Sequence, residues 1–319
     1  MSALLENKGE AKLQTSATRS FHLHMAYACL VLVVVTWISC RLTSIEIPSV
    51  ADFTIGMVFA CAVVLTISIF WHEKGKTNLR DSILTIPWEI FLAGTVPLLV
   101  LAAAKSNMPL RDASLMHADQ LLGINVPKIM AWCSHHWIGI FVTRTYPLLS
   151  PLITVSALLP AFTGKVHNAQ QFLIANLIAF AIGLPLYALL PAIGPWYGYG
   201  ISPTHDQLQL QSAVLAFRGP GHSMSQLTGI ICFPSFHVIW AITCVAALWG
   251  YRILRIPVGL LASMIVVSTV TTGWHYFTDV LGGVAIVAFS LFAARCYLRK
   301  SRSSDHRLEV AALCEATPI

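Results

Sequence analysis

Charge is what this chain has least of. Asp, Glu, Lys and Arg make up 11% of its 319 residues, against 56% hydrophobic residues, and the mean hydropathy is +0.71. A soluble domain carries roughly 25% charged residues, so the composition excludes a soluble globular fold and implies an integral membrane protein. The net charge of +6 gathers on the N-terminus, one loop and the C-terminal tail, which suits a membrane surface rather than a nucleic acid. Paired cysteine spacing is also missing. Of the eight cysteines, Cys29, Cys61, Cys232, Cys244 and Cys296 lie in or beside apolar runs and read as small buried hydrophobes, not metal ligands. Met1 to Ser20 is polar and mixed in charge. It lacks the apolar h-region of a signal peptide, so the run from Met25 to Cys40 reads as a retained anchor. No internal repeat is visible.

What the chain has instead is long apolar runs. Segments able to span a bilayer as helices fall at 25–42, 53–71, 83–104, 146–163, 170–191, 231–250, 256–273 and 276–298, which predicts an all-α bundle of about eight spans. Prolines 147, 151 and 160 interrupt the fourth run, as neighbouring helices in a membrane allow. Two longer amphipathic loops are expected at 105–137 and 192–230. The tail after Arg299 reads as polar and disordered. With the N-terminus in the cytoplasm, the inward segments hold Lys8, Lys12, Arg19, Lys74, Lys76, Arg80, Lys165, Arg252, Arg255 and the tail's Arg299, Lys300, Arg302 and Arg307. The outward segments hold Arg41, Lys105, Arg111, Lys128 and Arg218. The asymmetry predicts cytoplasmic termini.

Two short patches carry the chemistry. One is Pro234-Ser235-Phe236-His237, at the start of the sixth run. The other is His275-Tyr276-Phe277-Thr278-Asp279, preceded by Ser268-Thr269 and followed by Gly282-Gly283. The charge count puts both on the non-cytoplasmic face, each histidine at a solvent-accessible mouth. A His and an Asp four apart on a helix share a face, about 6 Å apart along the axis, so the carboxylate can hold the imidazole in one tautomer. Asp279 is the only acidic residue in the last three runs, and an ionisable group at that depth is costly unless it functions. Ser235 can cap its helix or donate to an anion, beside backbone N–H groups suited to phosphate. An oriented His with a second His is a minimal set for phosphoryl transfer through a phosphohistidine. His237, His275 and Asp279 are also metal-ligating types, but that chemistry needs no metal, and neither metal nor cofactor is expected. Gly282-Gly283 suggests close helix packing.

Together the patches resemble the type 2 phosphatidic acid phosphatase superfamily. Its second motif reads Pro-Ser-Gly-His, met by Pro234, Ser235 and His237. Its third reads Ser-Arg, five residues, His, three residues, Asp, met by Ser268, His275 and Asp279. Phe236 stands for the glycine and Thr269 for the arginine, and the first motif, Lys, six residues, Arg-Pro, is absent. Pro-Ser-(bulky apolar)-His, Ser-Thr, His-Tyr-Phe-x-Asp, Phe233 and the segment Pro191 to Tyr197 look like the inositol phosphorylceramide synthase branch.

The resemblance covers about residues 85–298. It implies a six-helix phosphatase-like catalytic domain over 83–298. That domain would follow a polar N-terminus (1–24) and extra N-terminal helices (25–82), and precede a polar tail (299–319). It further implies that His275 attacks phosphorus, Asp279 orients it, His237 protonates the leaving oxygen and Ser235 binds a phosphate oxygen. The missing arginine would be replaced by Arg218, or next by Arg144. The substrate would be a phospholipid or lipid-linked phosphate. The acceptor would be a lipid alcohol in an inositol-phosphate transferase or water in a lipid phosphatase. A transporter or flippase with a His–Asp proton relay is the reading from another class. It would spread charges through mid-depth positions, whereas here they gather at one face. Asp119, with Leu121-Leu122-Gly123, resembles a recurring element without an assigned role.

Overall fold

In the computed structural model, residues 2–43, 66, 69, 77–106, 108–219 and 232–315 are described, with side chains over 20–43, 66, 69, 77–106, 108–219 and 232–301. Among them every regular element is helical, as the composition predicts. The helices are α1 (Ser2–Leu42), α2 (Thr77–Ile83), α3 (Ile86–Ala104), α4 (Asp112–Leu121), α5 (Val126–His135), α6 (Trp137–Thr143), α7 (Leu149–Phe162), α8 (Val166–Leu189), α9 (Pro195–Gly198), α10 (His205–Arg218), α11 (Phe236–Leu248), α12 (Arg255–Thr271) and α13 (Phe277–Glu315). Among the described residues, five segments are long and apolar enough to cross a membrane: Ser20–Leu42, Thr77–Ala104, Trp137–Phe162, Val166–Leu189 and Phe277–Ser301. The protein is an integral membrane protein. The expected span at 53–71, together with Lys74 and Lys76, lies outside the described residues apart from two isolated positions.

The expected runs at 231–250 and 256–273 form shorter helices, of 13 and 17 residues. At 1.5 Å per residue, α11 is about 20 Å long, against a hydrocarbon core of about 30 Å. The shortening has a local cause. Ser235 caps α11, its Oγ accepting from Val238 N–H at 3.4 Å, so the residues before it stay out of the helix and are free to build the site. The loops expected at 105–137 and 192–230 contain α4, α5, α9 and α10. In α10 a capping box starts the helix: Thr204 and Gln207 each satisfy the other's backbone N–H, two orphan donors at once. The disordered tail is not found either, because α13 continues to Glu315. Leu308 to Glu315 is rich in good helix formers, which extend a helix that the membrane span has already nucleated.

The core centres on α8, which packs against α3, α7, α11 and α13. Inside a bilayer, helix association rests on van der Waals packing and close backbone approach. Gly183 of α8 shows how this works. A Cβ there would sit 2.6 Å from the Phe236 ring, so the missing side chain makes room for the bulky residue of the second motif. Phe236 is buried and stacks on Phe180 with ring centroids 5.2 Å apart. It therefore points into the bundle, against α8. On α13, a Cβ at Gly283 would lie 2.7 Å from the Ser235 carbonyl oxygen. The glycine pair thus brings the start of α11 against α13, the close packing expected of it.

Candidate functional site

The two sequence patches meet where the start of α11 packs on the turn between α12 and α13. Backbone bonds fix the approach: Ser235 N–H donates to the Asp279 carbonyl at 3.1 Å, and His275 N–H to the Thr269 carbonyl at 3.0 Å. His275 lies just before α13 and not within it, yet its ring still reaches Asp279. Its Nδ1 is 2.9 Å from the Cys232 carbonyl oxygen and 3.3 Å from Asp279 Oδ2. Both partners accept, so Nδ1 carries the proton and Nε2 keeps its lone pair. Nε2 lies 3.4 Å from His237 Nδ1. Tyr146 stacks on the His237 ring at 4.4 Å between centroids.

His275 is 2% exposed. The solvent-accessible mouth expected for it is therefore closed in this structure, where His237, with the Tyr146 ring stacked on it, faces its Nε2. Burial pushes the imidazole down to about 4, only partly opposed by the Cys232 carbonyl. The ring is neutral at physiological pH, as a nucleophile must be.

Asp279 is fully buried. Its Oδ2 accepts from Tyr276 N–H at 2.8 Å and from the Cys232 thiol at 3.0 Å, besides facing His275. Its Oδ1 has no hydrogen-bond partner among the described residues. Burial and the nearby carboxylates of Asp279 and Asp112 push the Cys232 thiol up, so it stays protonated and donates.

A second tier of acids holds this turn. Asp119 accepts from Phe277 N–H at 2.9 Å and Thr278 N–H at 2.8 Å, and from the Thr278 hydroxyl. It therefore caps α13 from a different helix, satisfying orphan donors with a charge that favours the positive helix end. That is the role the sequence left open. Asp112 accepts from the N–H groups of Ile193 and Gly194 and from the Tyr276 hydroxyl, all within 2.9–3.1 Å.

Other candidates are placed differently. Ser235 is fully buried; its Oγ acts as the α11 cap and lies two residues before His237. Thr269, at the arginine position, is also fully buried and donates to the Val266 carbonyl at 2.7 Å. Arg218 donates to the Ala104 carbonyl at 2.9 Å and to the Met108 carbonyl. These bonds tie α10 to the end of α3, and none joins Arg218 to the histidines. Arg144 is exposed and ends α6, two residues before the ring that covers His237. Sequence reasoning missed Tyr146 and Cys232 as parts of the site. The thiol next to the second motif was a usable signal, whereas nothing local marks Tyr146, which is 91 positions from His237.

A family model described as the PAP2 superfamily matches residues 113–293, more than half of the chain. The chain belongs to the PAP2 superfamily. No curated protein and no solved structure matches it. PAP2 proteins are phosphatases and phosphotransferases that act on lipid phosphates, and this protein is an enzyme of that type. The matched segment contains both histidines, Ser235, Asp279 and the capping Asp119.

Proposed function

We propose that this PAP2 enzyme moves a phosphorylated headgroup, inositol phosphate or a similar one, between lipids through a phosphohistidine on His275. One observation carries the reading: His275 Nε2 bears a lone pair and faces the nitrogen of a second histidine at 3.4 Å. A phosphoryl group needs about 3 Å from each reacting atom, so His237 and the Tyr146 ring on it must swing away to admit one. The anion then favours the imidazolium form of His237. His275 Nε2 forms the N–P bond as the P–O bond to the leaving alcohol breaks. The His237 Nδ1 proton passes to the leaving oxygen. In the second half, an acceptor hydroxyl attacks phosphorus, gives its proton to His237 and releases His275. Throughout, the His275 Nδ1 proton stays with the Cys232 carbonyl and Asp279, whose charge stabilises the phosphoimidazolium.

Two features favour transfer of a diester headgroup over hydrolysis of a monoester. Thr269 offers no cation, and its hydroxyl is engaged within its own helix. A site short of one cation holds a dianion less well than a monoanion. For the remaining clamp we favour Arg144 over Arg218, since Arg144 is exposed at the end of α6, whereas Arg218 is engaged by two carbonyls. Purified protein given labelled phosphatidylinositol and ceramide or diacylglycerol is expected to form a new headgroup-bearing lipid, and to prefer phosphatidylinositol over phosphatidic acid. Arg144→Ala should slow it by about 2–4 kcal/mol of barrier, comparable to one lost oxyanion donor, and by more than Arg218→Ala. Faster turnover of phosphatidic acid with release of free phosphate would make the enzyme a lipid phosphatase.

We also assign the site to the non-cytoplasmic face, with both termini cytoplasmic. Arg80, Lys165, Arg252 and Arg255 sit at the helix ends opposite those that carry the site, which agrees with the positive-inside rule. Reporter fusions after Lys165 and Arg255 should read as cytoplasmic, and fusions near Lys128 and Arg218 as external. A cytoplasmic Arg218 fusion would reverse the assignment.

A further inference from the structure

We propose that Cys232, His275 and Asp279 form a binding site for a thiophilic divalent cation, zinc foremost, and that occupancy of this site shuts the transfer centre. Cys232 Sγ, His275 Nδ1 and the Asp279 carboxylate all lie within 4.8 Å of one another. Sγ is 3.0 Å and Nδ1 3.3 Å from Asp279 Oδ2. Tetrahedral zinc takes S, N and O ligands at about 2.0–2.3 Å, which places such atoms about 3.2–3.6 Å apart. Small side-chain shifts therefore suffice. A thiolate with an imidazole and a carboxylate selects zinc or cadmium over magnesium or calcium, which prefer all-oxygen shells. A separate observation points to a ligand. Asp279 Oδ1 is buried without a hydrogen-bond partner among the described residues, although the same carboxylate is otherwise satisfied. A cation held by both carboxylate oxygens would remove that deficit.

Binding has a definite chemical consequence. The Cys232 thiol gives up its proton to solvent as the S–metal bond forms. The metal takes the lone pair of His275 Nδ1, so the single proton of the neutral ring must sit on Nε2. Nε2 then has no lone pair for phosphorus. The cation thus switches the imidazole to the unreactive tautomer without touching the face where substrate binds. This inhibitory consequence rests on the nucleophilic role proposed above for His275; the binding itself does not.

The test uses the full chain in detergent or nanodiscs, without substrate for the first measurement. Cadmium titration should produce an ultraviolet thiolate-to-cadmium charge-transfer band that Cys232→Ser and Cys232→Ala lack, the other cysteines supplying a common background. Zinc should then inhibit headgroup transfer or hydrolysis, with reversal by EDTA. In both Cys232 variants, half-inhibition, measured against each variant's own metal-free rate, should need at least about tenfold more zinc, the usual scale for removing a metal-site partner. An unchanged band in both variants, or unchanged zinc sensitivity, would overturn the site. Stimulation by zinc would overturn the inhibitory role. A band that depends on Cys232, without inhibition, would refute the tautomer switch and count against His275 as nucleophile. Loss of the band in both variants would sustain the site even if the headgroup transferred proved to be another.

Discussion

His275→Asn should stop turnover, by at least about ten-thousand-fold, the scale of losing a central member of a nucleophile–base set, while the protein still folds. Asparagine is chosen over alanine because the residue is 2% exposed and bonded. Its amide N–H₂ can reproduce the donor that His275 Nδ1 presents to the Cys232 carbonyl at 2.9 Å, whereas alanine leaves that carbonyl unpaired and a cavity behind it. What asparagine cannot supply is the Nε2 lone pair. The readouts are turnover, acid-labile phosphoenzyme trapped after rapid quenching, and thermal stability in detergent. Stability near wild type with no phosphoenzyme is the expected pair. Substantial turnover in His275→Asn would end the phosphohistidine mechanism, and a stable phosphoenzyme would move the nucleophile elsewhere.

Asp279→Asn should be damaging but milder, about a hundred- to thousand-fold in kcat with little change in KM. When a carboxylate alone fixes the tautomer of a catalytic histidine, the same change costs about ten-thousand-fold. Here the shorter contact of His275 Nδ1 is to the Cys232 carbonyl, 2.9 Å against 3.3 Å to Asp279, so the proton stays in place without the carboxylate. What disappears is the negative charge beside the phosphoimidazolium. The amide oxygen can keep the bonds from Tyr276 N–H and the Cys232 thiol. The new N–H₂ falls where Oδ1 now lacks a partner, a buried donor that costs about 1–3 kcal/mol of stability if nothing accepts it. Steady-state kinetics with a melting curve separate the two losses. A rate as low as that of His275→Asn would mean that the carboxylate, and not the carbonyl, sets the tautomer.

The helical bundle and the pairing of the two patches were legible in the sequence because both rest on local signals: apolar run length, and histidines at fixed offsets from a cap and an acid. Of the two roles open to Ser235 from its type and place, helix cap or anion donor, the structure shows the cap. Less legible was everything that depends on contacts distant in sequence. Asp119 caps a helix 158 positions later, and the hydroxyl of Tyr276 meets Asp112 across 164. Neither leaves a periodic trace, since each is one acid in a polar stretch. The exchange of bulk between Phe236 and Gly183 shows the same limit. The sequence displays a departure from Pro-Ser-Gly-His, and only packing reveals that the bulky side chain turns toward α8. Arg218 precedes the second motif in the chain, and only the fold shows that its guanidinium donates to the Ala104 and Met108 carbonyls.

Asp112 bears on where this enzyme can be cut. The PAP2 match begins at residue 113, one position after a carboxylate that fastens the Tyr276 hydroxyl and the backbone at Ile193 and Gly194. Homology therefore draws its border through the middle of a clasp. A fragment trimmed to that border would keep every motif residue and lose the anchor of Tyr276, the residue beside His275. A catalytic unit that keeps this clasp, whether made in the laboratory or by gene fusion, begins upstream of Asp112.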